Sequence, residues 1–206
     1  MNEESKKVQT VEELEHFPFT SFVEFKKATL EGVAHIGIDR GIALQWAQNG
    51  IYAPKSLKTQ ALIFAALPLV ATLALVAYAI ISETWLLLLA APALLVAFFI
   101  FHPSSAMIFG ALRSGLIGLT FIGLIYAFVA NIDWLFVFTA VLVVIWYSQK
   151  SVYSKAINAI VKAMTQHEDL LCILWQSKSA NIDFFNGNRY WVDWKIENGE
   201  TTHYHD

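Results

Sequence analysis

The side chains able to do chemistry are few and scattered. His35 and Asp39 stand four apart, a spacing that places both on one face of a helix. Two ligands do not close a metal site, which takes four, so the pairing reads as chance. His203, His205 and Asp206 form a terminal cluster able to hold a stray divalent ion, and a frayed tail is the simpler reading. His102 with Ser104 and Ser105 has the composition of a Ser-His pair, but no Gly-x-Ser-x-Gly turn or orienting carboxylate accompanies it. His102 is expected to snorkel at a lipid boundary. Cys172 is the single cysteine, cannot form an internal disulfide, and lies in an apolar stretch that reads as a packed strand. The sequence has neither a Gly-x-x-x-x-Gly-Lys phosphate loop nor a Cys-x-x-Cys pair. No catalytic residue, cofactor or metal site is expected, and the chain reads as a protein other than an enzyme.

The elements that would position any site follow from composition. The chain has 206 residues, of which 56% are hydrophobic and 15% charged, with a mean hydropathy of +0.50; this excludes a disordered or fibrous protein. A net charge of −3 gives no basic field for a phosphate backbone, so nucleic acid is not an expected partner. The charges are concentrated at the two ends. Residues 61–147 carry only Glu83, Arg113 and Asp133, and the partner they are suited to is a lipid bilayer. The expected organisation is an N-terminal helical segment over 1–60, a four-helix transmembrane domain over 61–147, and a cytoplasmic helix with a small antiparallel sheet over 148–206. The fold class is an all-α polytopic membrane protein with a small α+β C-terminal domain. No apolar run precedes Ala61, so the first span is expected to serve as the targeting signal.

A spanning helix needs about 20 apolar residues. The stretches 61–82, 84–101, 114–130 and 132–147 meet or approach that length, with Pro68 in the first and Pro92 near the middle of the second. The third extends back to Ala106 across Arg113, which leaves residues 106–113 either spanning or interfacial. Ser82-Glu83-Thr84 and Asn131-Ile132-Asp133 are tight acidic links that fold the spans into two hairpins. Lys55, Lys58, Arg113, Lys150 and Lys155 flank the opposite ends, and the positive-inside rule then puts both termini in the cytoplasm. Ala106, Gly110, Ser114 and Gly118 recur every four residues along the third span, a face for close helix packing or for contact with another subunit.

The fourth span is expected to continue as one helix over 133–168. Tyr153, Ile157, Ile160, Met164, His167 and Leu171 form a heptad-like seam along it, packing on the chain's own soluble segments or on neighbouring copies. Thr10 with Glu13, and Ser21 with Glu24, match the capping box, which predicts an amphipathic second helix over 22–48, either continuous or broken in two by Gly32, Gly37 and Gly41, which weaken it. Residues 170–175 read as a first strand. Asn186-Gly187 marks a hairpin turn, and Asn198-Gly199 a second. Tyr190, Val192, Trp194 and Ile196 alternate with Trp191, Asp193 and Lys195 as a strand with one apolar side. The exposed side, Trp191 with Asp193 and Lys195, is the expected partner-binding surface, an aromatic anchor ringed by charge.

The functional expectation is a non-catalytic membrane subunit, homo-oligomeric or joined to unlike membrane subunits, that docks cytoplasmic or membrane partners through its C-terminal domain. The alternative is a small homo-oligomeric channel lined by the third span.

Overall fold

In the computed structural model, which describes residues 10–101 and 106–204, most of the chain is helical, and a five-stranded antiparallel sheet joins its two ends. A 3₁₀ turn at Val11–Glu13 leads to α1 (Phe22–Leu30), β1 (Ala34–Ile38) and α2 (Arg40–Asn49). Four long elements follow: α3 (Lys55–Ile81), a 3₁₀ turn (Trp85–Leu89) running into α4 (Ala90–Phe101), α5 (Ala106–Ala130) and α6 (Asp133–Met164). The chain ends with α7 (Glu168–Gln176), β2 (Ala180–Phe184), β3 (Arg189–Tyr190), β4 (Trp194–Glu197) and β5 (Glu200–His203). Residues 10–53 with 157–204 form one compact unit and Pro54–Ala156 the other, the division falling inside α6.

The Pro54–Ala156 unit is apolar inside and out. Leu75 and Ala79 of α3, Leu94 and Phe101 of α4, and Val141, Leu142 and Ile145 of α6 form its core, with Leu116 and Ile117 of α5 packed against it. Leu62, Leu69, Leu73 and Ile81 of α3, and Leu119, Ile122, Phe128 and Val129 of α5, stay exposed. Soluble monomers rarely expose so much apolar side-chain surface. Among the described residues, α3 and α6 are the two helices long and apolar enough to cross a membrane. The stretch 84–101 is not one α-helix as expected. Pro92 sits in the first turn of α4, where a missing N–H costs nothing, and the residues before it take the tighter 3₁₀ winding. Both acidic links are tight reversals. Glu83 and Asn131 adopt left-handed φ of 56° and 52°, and Thr84 N–H and Ile132 N–H donate back to the Ala79 and Ala127 carbonyls, closing the helix ends.

The other unit departs from the expected pattern in four places, each for a local reason. The predicted helix over 22–48 is split. Gly32 takes φ +72° and closes α1 in a Schellman motif, with Val33 N–H donating to the Ala28 carbonyl and Gly32 N–H to that of Thr29. The next five residues carry an inward Ala34-Ile36-Ile38 alternation that pairs with β2. The Thr10 capping box opens only a single 3₁₀ turn, and the Thr10 side chain makes no cap bond; Ser21 does cap α1, accepting from Glu24 N–H. The predicted strand over 170–175 is the helix α7. Its buried residues Leu170, Leu171, Leu174 and Trp175 have helical spacing, which a short apolar run does not distinguish from a buried strand by composition. The predicted strand through 190–196 is folded in half, as described below. α6 runs unbroken past Tyr147 to Met164, four residues short of the expected end, with Ile160 and Met164 of the seam fully buried.

Candidate functional site

The sheet order is β1-β2-β3-β4-β5, and its register sorts every residue onto one of two faces. One transverse row runs Ile36, Ile182, Tyr190, Lys195, Thr202. This side closes on an aromatic core in which Phe25 is fully buried: Phe19 packs 5.5 Å from Phe184 and 5.7 Å from Phe25, and Phe184 lies 5.4 Å from Tyr190. The neighbouring row runs His35, Asp183, Arg189, Ile196, Thr201, and all five are exposed or half-buried. Next to it Gly37 faces Asn181 across the strands. A Cβ at Gly37 would lie 2.1 Å from Asn181 Oδ1, so the glycine lets the amide lie flat and donate to Asp183.

The hairpin between β3 and β4 shapes the open face. Trp191 N–H donates to the Trp194 carbonyl at 2.8 Å, so Val192 and Asp193 are the two central residues of a tight turn. A two-residue turn reverses the side-chain parity expected of a straight strand. Trp191 and Trp194 therefore stand together on the open face, their indoles stacked at 3.7 Å with planes 8° apart, and His203 lies 6.2 Å beyond. The three residues expected to form one exposed strand side are not brought together. Trp191 is half-buried against Trp194; Asp193 sits at the turn, bridged to Lys178 at 2.9 Å; Lys195 points to the core side and pairs with Glu197 at 2.5 Å. Trp194, expected on the apolar side, is the functional candidate that the pattern missed. Two tryptophans three residues apart, flanking Val192-Asp193, are the available signal.

Electrostatics tie this hairpin down. The Lys178 ammonium hydrogen-bonded to Asp193 holds that carboxyl below its ordinary range, and Lys195, then Tyr190, do the same for Glu197. A carboxyl depressed in the folded state stabilises it above the ordinary carboxylate range and loses that contribution as pH falls through the folded value. The thermal midpoint of this unit is expected to drop on acidification below about pH 4, and the Lys178→Ala/Lys195→Ala double variant to flatten that drop. An unchanged slope in the double variant would show that other groups govern acid unfolding.

The remaining expected sites are dispersed. His35 lies on β1, 6.3 Å from Phe185, and Asp39 caps α2 by accepting from Ile42 N–H, so they do not share a helix. His102, Ser104, Ser105, His205 and Asp206 lie outside the described residues. Cys172 is buried in α7, not in a strand, and burial, with Glu168 and Asp169 nearby, pushes its thiol up to about 11. Such a thiol is protonated at neutral pH and unreactive. Among the described residues no group of three His, Cys, Asp or Glu side chains is placed to hold a metal ion.

Along α5, Ala106 and Gly110 stand in the first turns, and their surroundings lie outside the described residues. Ser114 and Gly118 are exposed, and a Cβ on Gly118 would meet nothing within 4 Å. The close helix approach falls instead at Gly123, where a Cβ would lie 3.1 Å from Thr139 Cγ2 of α6.

Fold and site together define a class: an apolar helical unit joined to a small α+β unit whose sheet carries a stacked Trp191/Trp194 pair on one face. Comparison with known protein families, curated proteins and solved structures finds no match.

Proposed function

We propose that the chain is a non-catalytic integral membrane subunit that docks a protein partner through the open face of its sheet. Its Pro54–Ala156 unit crosses the bilayer four times, with both termini in the cytoplasm. The observation that carries the docking role is the two-faced sheet: one side is closed by Phe19, Phe25 and Phe184, while the other leaves a stacked Trp191/Trp194 pair beside Arg189, Asp183 and Ile196. Large rigid aromatic area flanked by charge of both signs is the composition of contact hot spots. The apolar exterior of the helical unit supports the membrane role, and Glu83 and Asp133 at one end with Lys55, Lys58, Lys150 and Lys155 at the other support the orientation.

One observation favours the channel alternative lined by α5: the exposed Ser114 and Gly118 leave room for a second copy to approach. A ring of identical copies around an open axis would support that reading, and co-purification of unlike subunits the docking role. The direct test is Trp191→Ala. It is expected to lose at least tenfold in partner retention while the thermal midpoint moves by only a few degrees. A large stability loss with the partner still bound would make the indole pair a packing feature and remove the docking face.

A further inference from the structure

We infer that β5 is the contact strand of a homodimer: it pairs antiparallel with the β5 of a second copy, the two-fold axis passing beside Thr202. β5 is the last strand in the sheet order, and Glu200, Thr201, Thr202 and His203 are all exposed. Two hydrogen bonds fix which of its backbone groups are already used. Trp191 N–H donates to the Trp194 carbonyl and Tyr204 N–H to the Asp193 carbonyl, so Trp194 turns its polar groups to β3 and Asp193 turns its own to β5. That direction alternates along an antiparallel ladder, and the register Lys195↔Thr202 and Glu197↔Glu200 then makes Glu200, Thr202 and Tyr204 the residues bonded to β4. The N–H and C=O groups of Thr201 and His203 face outward along the free edge. Natural sheet edges are commonly blunted by Lys, Pro or a bulge. β5 carries none of these, and its Thr-Thr centre suits a further ladder.

Because both edges use the same two residues, a symmetric pairing sets Thr201 opposite the second copy's His203, Thr202 opposite Thr202, and Glu200 opposite Tyr204. This register engages every outward group in about four backbone hydrogen bonds and wastes none on the turn at Asn198-Gly199. The side chains agree with it. Glu200 stands across from Glu197, which is already held by Lys195 and Tyr190, and among the described residues Glu200 has no hydrogen bond or ion pair of its own. On the same side of β5, Tyr204 stacks on His16 at 3.7 Å with planes 5° apart. The pairing brings each Glu200 carboxylate beside the second copy's Tyr204 hydroxyl and His16 imidazole, two donors for an acceptor that its own chain leaves facing another carboxylate. The complementary groups are the chain's own, which is why the occupant of this edge is a second copy. The strands add in the plane of the sheet, so the Trp191/Trp194 face stays open, and dimerisation and partner docking stand or fall separately.

The test is disulfide trapping in the full chain carrying Cys172→Ala, solubilised in mild detergent and oxidised with copper phenanthroline. Thr202→Cys lies at the two-fold axis in a non-hydrogen-bonded pair, its Cα atoms about 4.5 Å apart and within disulfide reach, and is expected to give a covalent dimer. Thr201→Cys is also exposed, but it stands diagonally from its own copy at about 7–8 Å and should cross-link at least fivefold less. Two further changes are made on the Thr202→Cys background. Thr201→Pro removes an outward N–H at an edge position that tolerates proline, and Glu200→Lys takes the carboxylate from the two donors; each should lower the dimer yield at least fivefold. Glu200→Lys also relieves the repulsion from Glu197 within the chain, so its thermal midpoint should hold or rise, which separates lost pairing from unfolding. The inference is overturned by no covalent dimer from Thr202→Cys, by equal yields from Thr201→Cys and Thr202→Cys, or by undiminished yield in both Thr201→Pro and Glu200→Lys. A chain that cross-links at Thr202→Cys with these dependences yet retains no partner keeps this inference and removes the docking reading.

Discussion

Replacing Trp175 with alanine is expected to cost about 3–5 kcal/mol and to unfold the unit formed by residues 10–53 and 157–204 under conditions where the wild type is folded. Trp175 is fully buried, its Nε1–H donates to the Glu15 carbonyl at 3.1 Å, and its ring meets Phe17 edge-on at 4.9 Å. Alanine would leave a cavity the size of an indole, lose the aromatic pair, and strand a backbone acceptor that folding has drawn toward the interior. A loss of that size is a large part of the 5–15 kcal/mol typical of a whole domain. Trp175→Phe separates the causes: it keeps most of the volume, so about 1 kcal/mol for the hydrogen bond should account for much of its loss. Urea unfolding of the detergent-solubilised chain reads both variants. If Trp175→Ala shifted stability by no more than Trp175→Phe does, the burial of Trp175 would be wrong. Together with Trp191→Ala, which should leave stability nearly intact, it distinguishes the closed side of the sheet from its open side.

Much of the helical part was legible because long, nearly uncharged apolar sequence has a one-dimensional signature. Long runs with three charges among 87 residues leave little choice but helix, and the punctuation at Glu83 and Asn131 coincides with the two left-handed residues that close α3 and α5. The continuation of α6 past Tyr147 was also legible, since no Gly or Pro interrupts it, although its end at Met164 was not. What failed was decided by partners distant in the chain. β1 carries a glycine and only five residues, and it is a strand because Ala180–Phe184, some 145 residues later, pairs with it. α7 and a strand would bury the same leucines, and only the final packing separates them. At the candidate site the residue type was readable and the geometry was not. Trp191 stands out as an aromatic anchor, but the turn at Val192-Asp193 has none of the Asn-Gly chemistry that announces a hairpin, so alternation alone predicts a straight strand with Trp194 on the opposite side from Trp191.

The second large effect is expected from Ala156→Pro. Ala156 is 1% exposed and lies inside α6, with Val152 one turn before it and Ile160 one turn after, both buried. Proline there removes the N–H that bonds to the Val152 carbonyl and drives its ring against that same oxygen, at a cost of about 3 kcal/mol or more. The buried Val152 and Ile160 do not relieve it, because the added ring volume must also fit where only a methyl group fits now. Ala156→Gly is the control: it removes the methyl and loosens the backbone without breaking the ladder, and should cost about 1 kcal/mol. The division between the two units falls at this residue, so a break here tests whether helical continuity itself matters to them. Hydrogen exchange across residues 148–164 is the measurement. Wild type should protect these amides as one block, the glycine variant should retain most of that protection, and the proline variant should lose it around Val152 and Ala156 together with a fall in partner retention. Unchanged protection in Ala156→Pro would mean that α6 does not run as one helix through this point, and intact partner binding alongside lost protection would mean that docking does not require α6 to be continuous.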